Sequence, residues 1–259
     1  MDEFDARSST TCGISGARPR VSKNVASPER ARRRKGRARA PLTSLPDQFW
    51  SELARLSELG EGERCLHADG FRAVCGVDEV GRGCLAGPVV AAAVILDPES
   101  IFFRLNDSKK LGDLDRRSLC SRIMAHARAV SVGVVEPQTI DRINILAASK
   151  LAMRQAVDSL EFRPDVLLID AVYIEDLILP QIPIIKGDSR CMSIAAASVV
   201  AKVYRDTLME SYHGSYPEYD FLNNAGYGTA PHWEALDRYG PTPIHRRGFR
   251  GVAQRPLFG

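Results

Sequence analysis

Apolar residues fall in two kinds of block along this chain, and their spacing predicts alternating strands and helices. Phe49, Leu53 and Leu56 recur at three- and four-residue intervals, which predicts a helix over residues 47–59, entered through Pro46-Asp47 and closed by Gly60. A β-prone run over 71–79 then ends in two acids and the turn Gly81-Arg82-Gly83. Residues 87–96 form an unbroken apolar run stopped by Asp97-Pro98, as a strand buried on both faces requires. A helix is predicted over 114–128, a strand over 129–135 that ends at Pro137, and a helix from the N-cap Asn144 to about 160. Strands over 166–170 and 182–185 follow, then a long helix over 193–212 and a last one over 231–239, with Pro231 suited to its first turn. Strands alternating with helices define an α/β core, and no internal repeat interrupts it.

Composition supports a packed core, since 44% of the residues are apolar and 26% charged. It also excludes a spanning helix: the longest uncharged stretch, 83–96, holds 14 residues, where a bilayer core needs about 18–20. The N-terminus reads Met1-Asp2-Glu3-Phe4-Asp5, with acids where a secretory or transit peptide carries cations, and no apolar segment follows. A soluble, cytoplasmic protein is expected. Its six cysteines show no CxxC pair and no neighbouring histidine cluster, so reduced thiols are expected rather than disulfides or zinc.

The net charge of +3 conceals a division. Residues 1–45 carry 11 Lys/Arg against 4 Asp/Glu, a net +7, whereas residues 46–259 are net −4. With six Leu/Ile/Val/Phe in 45 residues, the first segment buries too little to offset its ordering entropy, and a disordered basic tail is expected. Its dense part, residues 30–39, suits a nonspecific nucleic-acid tether and equally a solvated extension with no specific role.

The chemistry lies in the acids. Asp78, Glu79 and Asp170 each end an apolar strand, and Asp188 stands between a short strand and a long helix. Ligands of open α/β sheets gather beyond strand ends, which would bring these four together. Carboxylates sharing a cleft repel one another unless a cation lies among them, and an all-oxygen set suits Mg²⁺ or Mn²⁺. Two such ions about 3.5–4 Å apart activate a water and stabilise the leaving oxygen of a phosphodiester. Neighbouring strand residues point to opposite faces, so Asp78 and Glu79 share a site only if the strand ends or bends there, which Gly81 and Gly83 permit. From the residues alone, an acid at a strand end is as readily a solvated turn residue.

Larger blocks narrow the choice. Gly76-Val77-Asp78-Glu79-Val80-Gly81-Arg82-Gly83 is followed by Leu85-Ala86-Gly87-Pro88, Asp107-Ser108-Lys109-Lys110-Leu111 and Ile140-Asp141-Arg142-Ile143-Asn144. Then come Leu168-Ile169-Asp170, Lys186-Gly187-Asp188, Ala195-Ala196-Ala197-Ser198, Gly226-Tyr227-Gly228-Thr229 and Pro243-Ile244-His245-Arg246-Arg247. In this order, over about residues 47–255, they resemble ribonuclease HII, the type 2 ribonucleases H. The resemblance implies an α/β ribonuclease H-like mixed sheet flanked by helices, with a C-terminal helical extension from about residue 213 of a catalytic domain spanning 46–259. It implies a metal-dependent endonuclease that cleaves the RNA strand of RNA–DNA hybrids and cuts 5′ of single ribonucleotides in duplex DNA, leaving 3′-hydroxyl and 5′-phosphate ends. Asp78, Glu79, Asp170 and Asp188 would be both catalytic and metal-binding, holding Mg²⁺ or Mn²⁺, with two ions. Gly81, Arg82 and Gly83 would hold the backbone at the ribonucleotide and sense its 2′-hydroxyl, the group that separates RNA from DNA. Tyr227 would pack on the following sugar. Related ribonuclease HIII enzymes carry Gly-Lys-Gly in that loop, so Arg82 favours type II.

Lys109 and Lys110 either neutralise substrate phosphates or form a solvated turn. Ala195 to Ala197 with Ser198 suits close packing of a helix on the sheet, and His245 suits a structural role better than a substrate contact. Cys84 stands where the family often has Pro. A catalytically silent nucleic-acid binder would not need all four acids, and the Gly-Arg-Gly loop argues against a carboxylate exonuclease of similar fold. RNA–DNA hybrid and ribonucleotide-containing DNA are the expected partners of a monomer without membrane attachment.

Overall fold

The computed structural model describes residues 46–175 and 177–253. The chain divides into units at 1–43 and 44–259, and every described residue lies in the second. The expected basic tail therefore falls outside the described residues.

Five strands form one mixed sheet in the order β3-β2-β1-β4-β5. Strands β1 (Val74–Val80), β4 (Val166–Asp170) and β5 (Gln181–Ile184) run parallel, while β2 (Val89–Ile95) and β3 (Ala129–Val135) continue the sheet antiparallel from β1. All seven residues of β2 are buried, as its unbroken apolar run requires. Period-two alternation sorts the rest. Cys75, Val77, Ala91 and Ala93 share a core with Ala148, Ala152 and Met153 of helix α5 (Ile145–Asp158). Val90, Ala92 and Val94 on the opposite face share one with Ala195 to Ala197 and Val199 of helix α6 (Met192–Ser215). Both helix faces are alanine-rich, which lets the backbones approach. A Cβ on Gly76 would stand 2.1 Å from the Ser193 carbonyl carbon, so α6 crosses β1 with no room for a side chain.

Helices α1 (Asp47–Leu59) and α3 (Asp113–His126) lie where periodicity placed them, and the Asn144 side chain caps α5 through the amides of Leu146 and Ala147. Three helices go beyond the periodic reading. Helix α2 (Glu61–Ala68) has no fully buried residue and meets the core through Leu66 alone, too little for a periodic signal. Helix α4 (Pro137–Ile143) begins at the proline that ends β3, because proline's fixed φ and missing N–H suit a first turn. Helix α7 (Phe221–Asn224) is a single turn. With α8 (Ala230–Tyr239) it forms the expected C-terminal part, whose core joins Leu85, Met209, Tyr219, Phe221, Leu236 and Val252. Among the described residues no helix is long and apolar enough to cross a membrane, and Cys65, Cys75, Cys84, Cys120 and Cys191 are all free.

Candidate active site

Parallel strands deliver their carboxyl ends to the same edge of the sheet, and that places the acids. β1 pairs with β4 only from Val74↔Val166 to Val77↔Ile169, while its pairing with β2 continues to Val80↔Val90. Past Val77, β1 therefore has no neighbour on the β4 side, and Asp78 and Glu79 both border the open end beside Asp170. The strand runs on through both to Val80 without the expected end or bend, and the charge of Asp170 reaches each of them at this open end. Gly81 then turns the chain at φ +94, a conformation that disfavours any side chain.

Asp78 is 6% exposed and accepts the amide of Glu79 at 2.8 Å, with the Ser198 side chain beside it. Burial, then the charges of Glu79 and Asp170, push its pKa well above the usual carboxylate range. Glu79 is also raised, first by burial and opposed by Arg82, whose Nη1 lies 3.2 Å from Oε1. Its Oε2 is buried with no partner. Asp170 accepts the Gly187 amide at 2.7 Å, which docks the short 3₁₀ turn Gly187–Ser189 and its Asp188 against the strand end. Asp188 is raised by burial and by the charges of Asp107 and Asp170, with Lys109 opposing. Lys109 stands exposed in the 3₁₀ turn Ser108–Lys110, whose Ser108 hydroxyl meets Ser198 Oγ at 2.9 Å.

The four acids thus share one electrostatic environment. Among the described residues, however, no three Asp, Glu, His or Cys side chains form a closed ligand set. The donor chemistry nevertheless fits a hard divalent cation: all ligating atoms are oxygens, three of the four carboxyls are destabilised as anions, and Glu79 Oε2 is buried without a donor.

Arg82 and Gly83 form the exposed tip of the loop after β1. Tyr227, 41% exposed, adjoins it, because Leu85 N–H donates to Gly226 O at 2.8 Å. All nine residues singled out in the sequence therefore lie along one edge of the molecule. Ser198 and Ser108, which reach Asp78 in sequence as a hydroxyl pair, went unrecognised because Ser198 lies in a run of alanines that reads as packing.

His245 is buried, as a structural histidine should be. Its Nδ1 accepts from Thr242 N at 3.0 Å and Thr242 Oγ1 at 2.8 Å, so its proton sits on Nε2 and is donated to His232 Nε2 at 3.0 Å. His232 Nδ1–H then donates to Tyr227 O at 2.8 Å. This chain requires two neutral rings. Burial and the neighbouring His232 lower the His245 pKa from 6.5 to about 3. A depressed pKa means the unfolded chain binds the proton first, so stability is full above pH 6.5 and is lost as pH falls toward about 3. Each pH unit in that window costs about 1.4 kcal/mol for one such histidine. Thermal unfolding from pH 7 to 4 should show a shallower pH slope in His245→Gln than in the unsubstituted chain; equal slopes would exclude the neutral pair.

The mixed sheet, its C-terminal helices and the acid-lined open edge define a ribonuclease H of type 2 architecture. The crystal structure of ribonuclease H2 from Pyrococcus horikoshii OT3 matches with a TM-score of 0.60 and 28% identity, covering 71% of this chain and 96% of that one. Bst-RNase HIII in complex with Mn²⁺ shares the fold at TM-score 0.53 and 24% identity, over 66% of this chain and 62% of that one. A model of the family described as Ribonuclease HII matches residues 75–252, and the ribonuclease HII of Lactobacillus gasseri is 56% identical over 181 residues, 70% of this chain and 72% of its own. The chain belongs to the ribonuclease HII family and is a ribonuclease H enzyme.

Proposed function

We propose that the chain cleaves the RNA strand of RNA–DNA hybrids and cuts on the 5′ side of single ribonucleotides in duplex DNA, leaving 3′-hydroxyl and 5′-phosphate ends. The observation that carries this reading is the meeting of Asp78, Glu79, Asp170 and Asp188 beside the Gly81-Arg82-Gly83 loop and Tyr227. In this reading the four carboxylates hold a pair of Mg²⁺ or Mn²⁺ ions. Bound there, the metal supplies the positive charge that activates water and stabilises the departing oxygen.

The protein's own groups do the selecting. The loop backbone approaches the ribose closely enough to read its 2′-hydroxyl, Lys109 neutralises a phosphate next to Asp188, and Tyr227 packs on the adjoining deoxyribose. Residues 46–259 act as the catalytic domain of a cytoplasmic monomer.

The direct test is a gel assay on duplex DNA with one embedded ribonucleotide, an all-DNA duplex and a continuous hybrid, with Mg²⁺ and with chelator. Cleavage 5′ of the ribonucleotide only with metal supports the reading; cutting of the all-DNA duplex would sink it. Tyr227→Ala removes a flat packing surface worth about 1–3 kcal/mol by analogy with base–aromatic stacking. The loss should be larger on the single-ribonucleotide duplex than on the continuous hybrid, where neighbouring riboses offer other registers, and Tyr227→Phe should do less harm. Equal losses on both substrates would remove Tyr227 from junction sensing while leaving the nuclease assignment intact.

A further inference from the structure

Two arginines lie fully buried behind the Gly81-Arg82-Gly83 loop, and neither forms an ion pair among the described residues. Arg246 donates through Nη1 to Arg82 O at 3.0 Å and through Nε to Gly87 O at 2.9 Å, and its Nη2 is buried with no partner. Arg205 donates to Pro88 O at 2.9 Å, Ala86 O at 3.0 Å and Ala225 O at 2.8 Å. Four of these five carbonyls belong to the β1–β2 connection, and the fifth lies two residues before Tyr227. Burying a guanidinium against neutral carbonyls is a poor route to stability, because desolvation exceeds what such dipoles return and an apolar side chain would fill the space at lower cost. The arrangement has a directional effect instead.

A trans peptide points its C=O and N–H in opposite directions. With the Arg82 carbonyl drawn inward by Arg246, the amide of Gly83 on the same peptide faces outward at the exposed loop tip, and no described hydrogen bond uses it. Arg205 spans the gap between this loop and the turn before Tyr227. Gly81 wraps so closely around it that a Cβ there would meet Arg205 Nε at 2.3 Å.

We propose that Arg246 and Arg205 are positioning residues for ribonucleotide selection: Arg246 aims the Gly83 amide at the substrate, and Arg205 fixes the separation between that amide and Tyr227. The inference rests on the reading that the loop and Tyr227 recognise the sugars on either side of the cut. A planar fork is needed because one group must hold two or three carbonyls in fixed relative directions; the point charge of lysine holds one at a time. A substrate with one ribose must satisfy amide and Tyr227 together. A continuous hybrid offers several riboses and tolerates a looser separation.

Arg246→Lys and Arg205→Lys, each with its melting temperature measured, are compared with the unsubstituted chain on the single-ribonucleotide duplex and the continuous hybrid. The expected result is a rise of about tenfold in KM on the single-ribonucleotide duplex, the scale of one misdirected hydrogen bond, with kcat and the hybrid reaction changed less than about threefold. Parallel losses on both substrates, or no loss on either, would overturn the inference, as would loss of the folded state in both variants, since the arginines would then serve the fold alone. Failure of the underlying reading looks different: the unsubstituted chain would then show no cleavage at a single ribonucleotide, or Tyr227→Ala would leave the ratio between the substrates unchanged.

Discussion

Asp170→Asn lowers the cleavage rate by about a thousandfold or more while leaving the melting temperature level or higher. The rate falls because this carboxylate sits at the centre of the acid group: its charge acts on Asp78, Glu79 and Asp188 alike. Removing that charge weakens the cation that activates water. Stability holds for two reasons. The amide oxygen of Asn still accepts the Gly187 N–H that docks the Asp188 turn, and one fewer anion relieves a cluster already pushed toward protonation. Single-turnover rates across an Mg²⁺ series, alongside thermal unfolding, provide the check. Near-normal turnover in a folded variant would show that the four acids do not hold the metal.

Gly76→Ala has the largest expected effect on the fold. The added methyl would stand 2.1 Å from Ser193 C and 2.3 Å from both Ile194 N and Ser193 O, all backbone atoms that no rotamer change can move aside. Helix α6 must lift from β1, and such overpacking costs about 3 kcal/mol or more. In a domain of this size that lowers the melting temperature by about 6–12 °C. The same lift draws Ser198 away from Asp78, so activity should fall at temperatures where the variant is still folded. A melting temperature within 2–3 °C of the original, roughly 1 kcal/mol, would show that α6 is not seated on Gly76.

Much of this was legible because the informative residues obey a local period. β3 and β4 are bounded by proline or acid, and their runs match the strands residue for residue. Strand ends marked Asp78, Glu79 and Asp170 as candidates, and the order of the longer blocks that resemble the family singled out all four acids. What escaped has no local signature. Helix α2 has no fully buried residue, and Pro137 reads as a stop although it begins a helix. The mixed strand directions depend on connections, which an apolar run does not encode. Arg205 carried a signal that charge concealed: it lies seven residues after Ser198 and four before Met209, on a helix face where all three are buried. A cation on that stripe marks a group held by carbonyls, and the loop it holds is distant in sequence.

The register of the central parallel pair also sets the order in which the enzyme comes into being. Val74 pairs with Val166, about ninety residues later, and this closure brings Asp78 to Asp170. The β1–β2 pair can form from neighbours in the chain, whereas the β1–β4 ladder must first meet the entropy of a long loop. During synthesis, the first three strands leave the ribosome well before residue 188. A nascent chain therefore brings the four acids together only when its sheet is nearly complete, and on the proposed reading nuclease competence arrives late, with the last of the core.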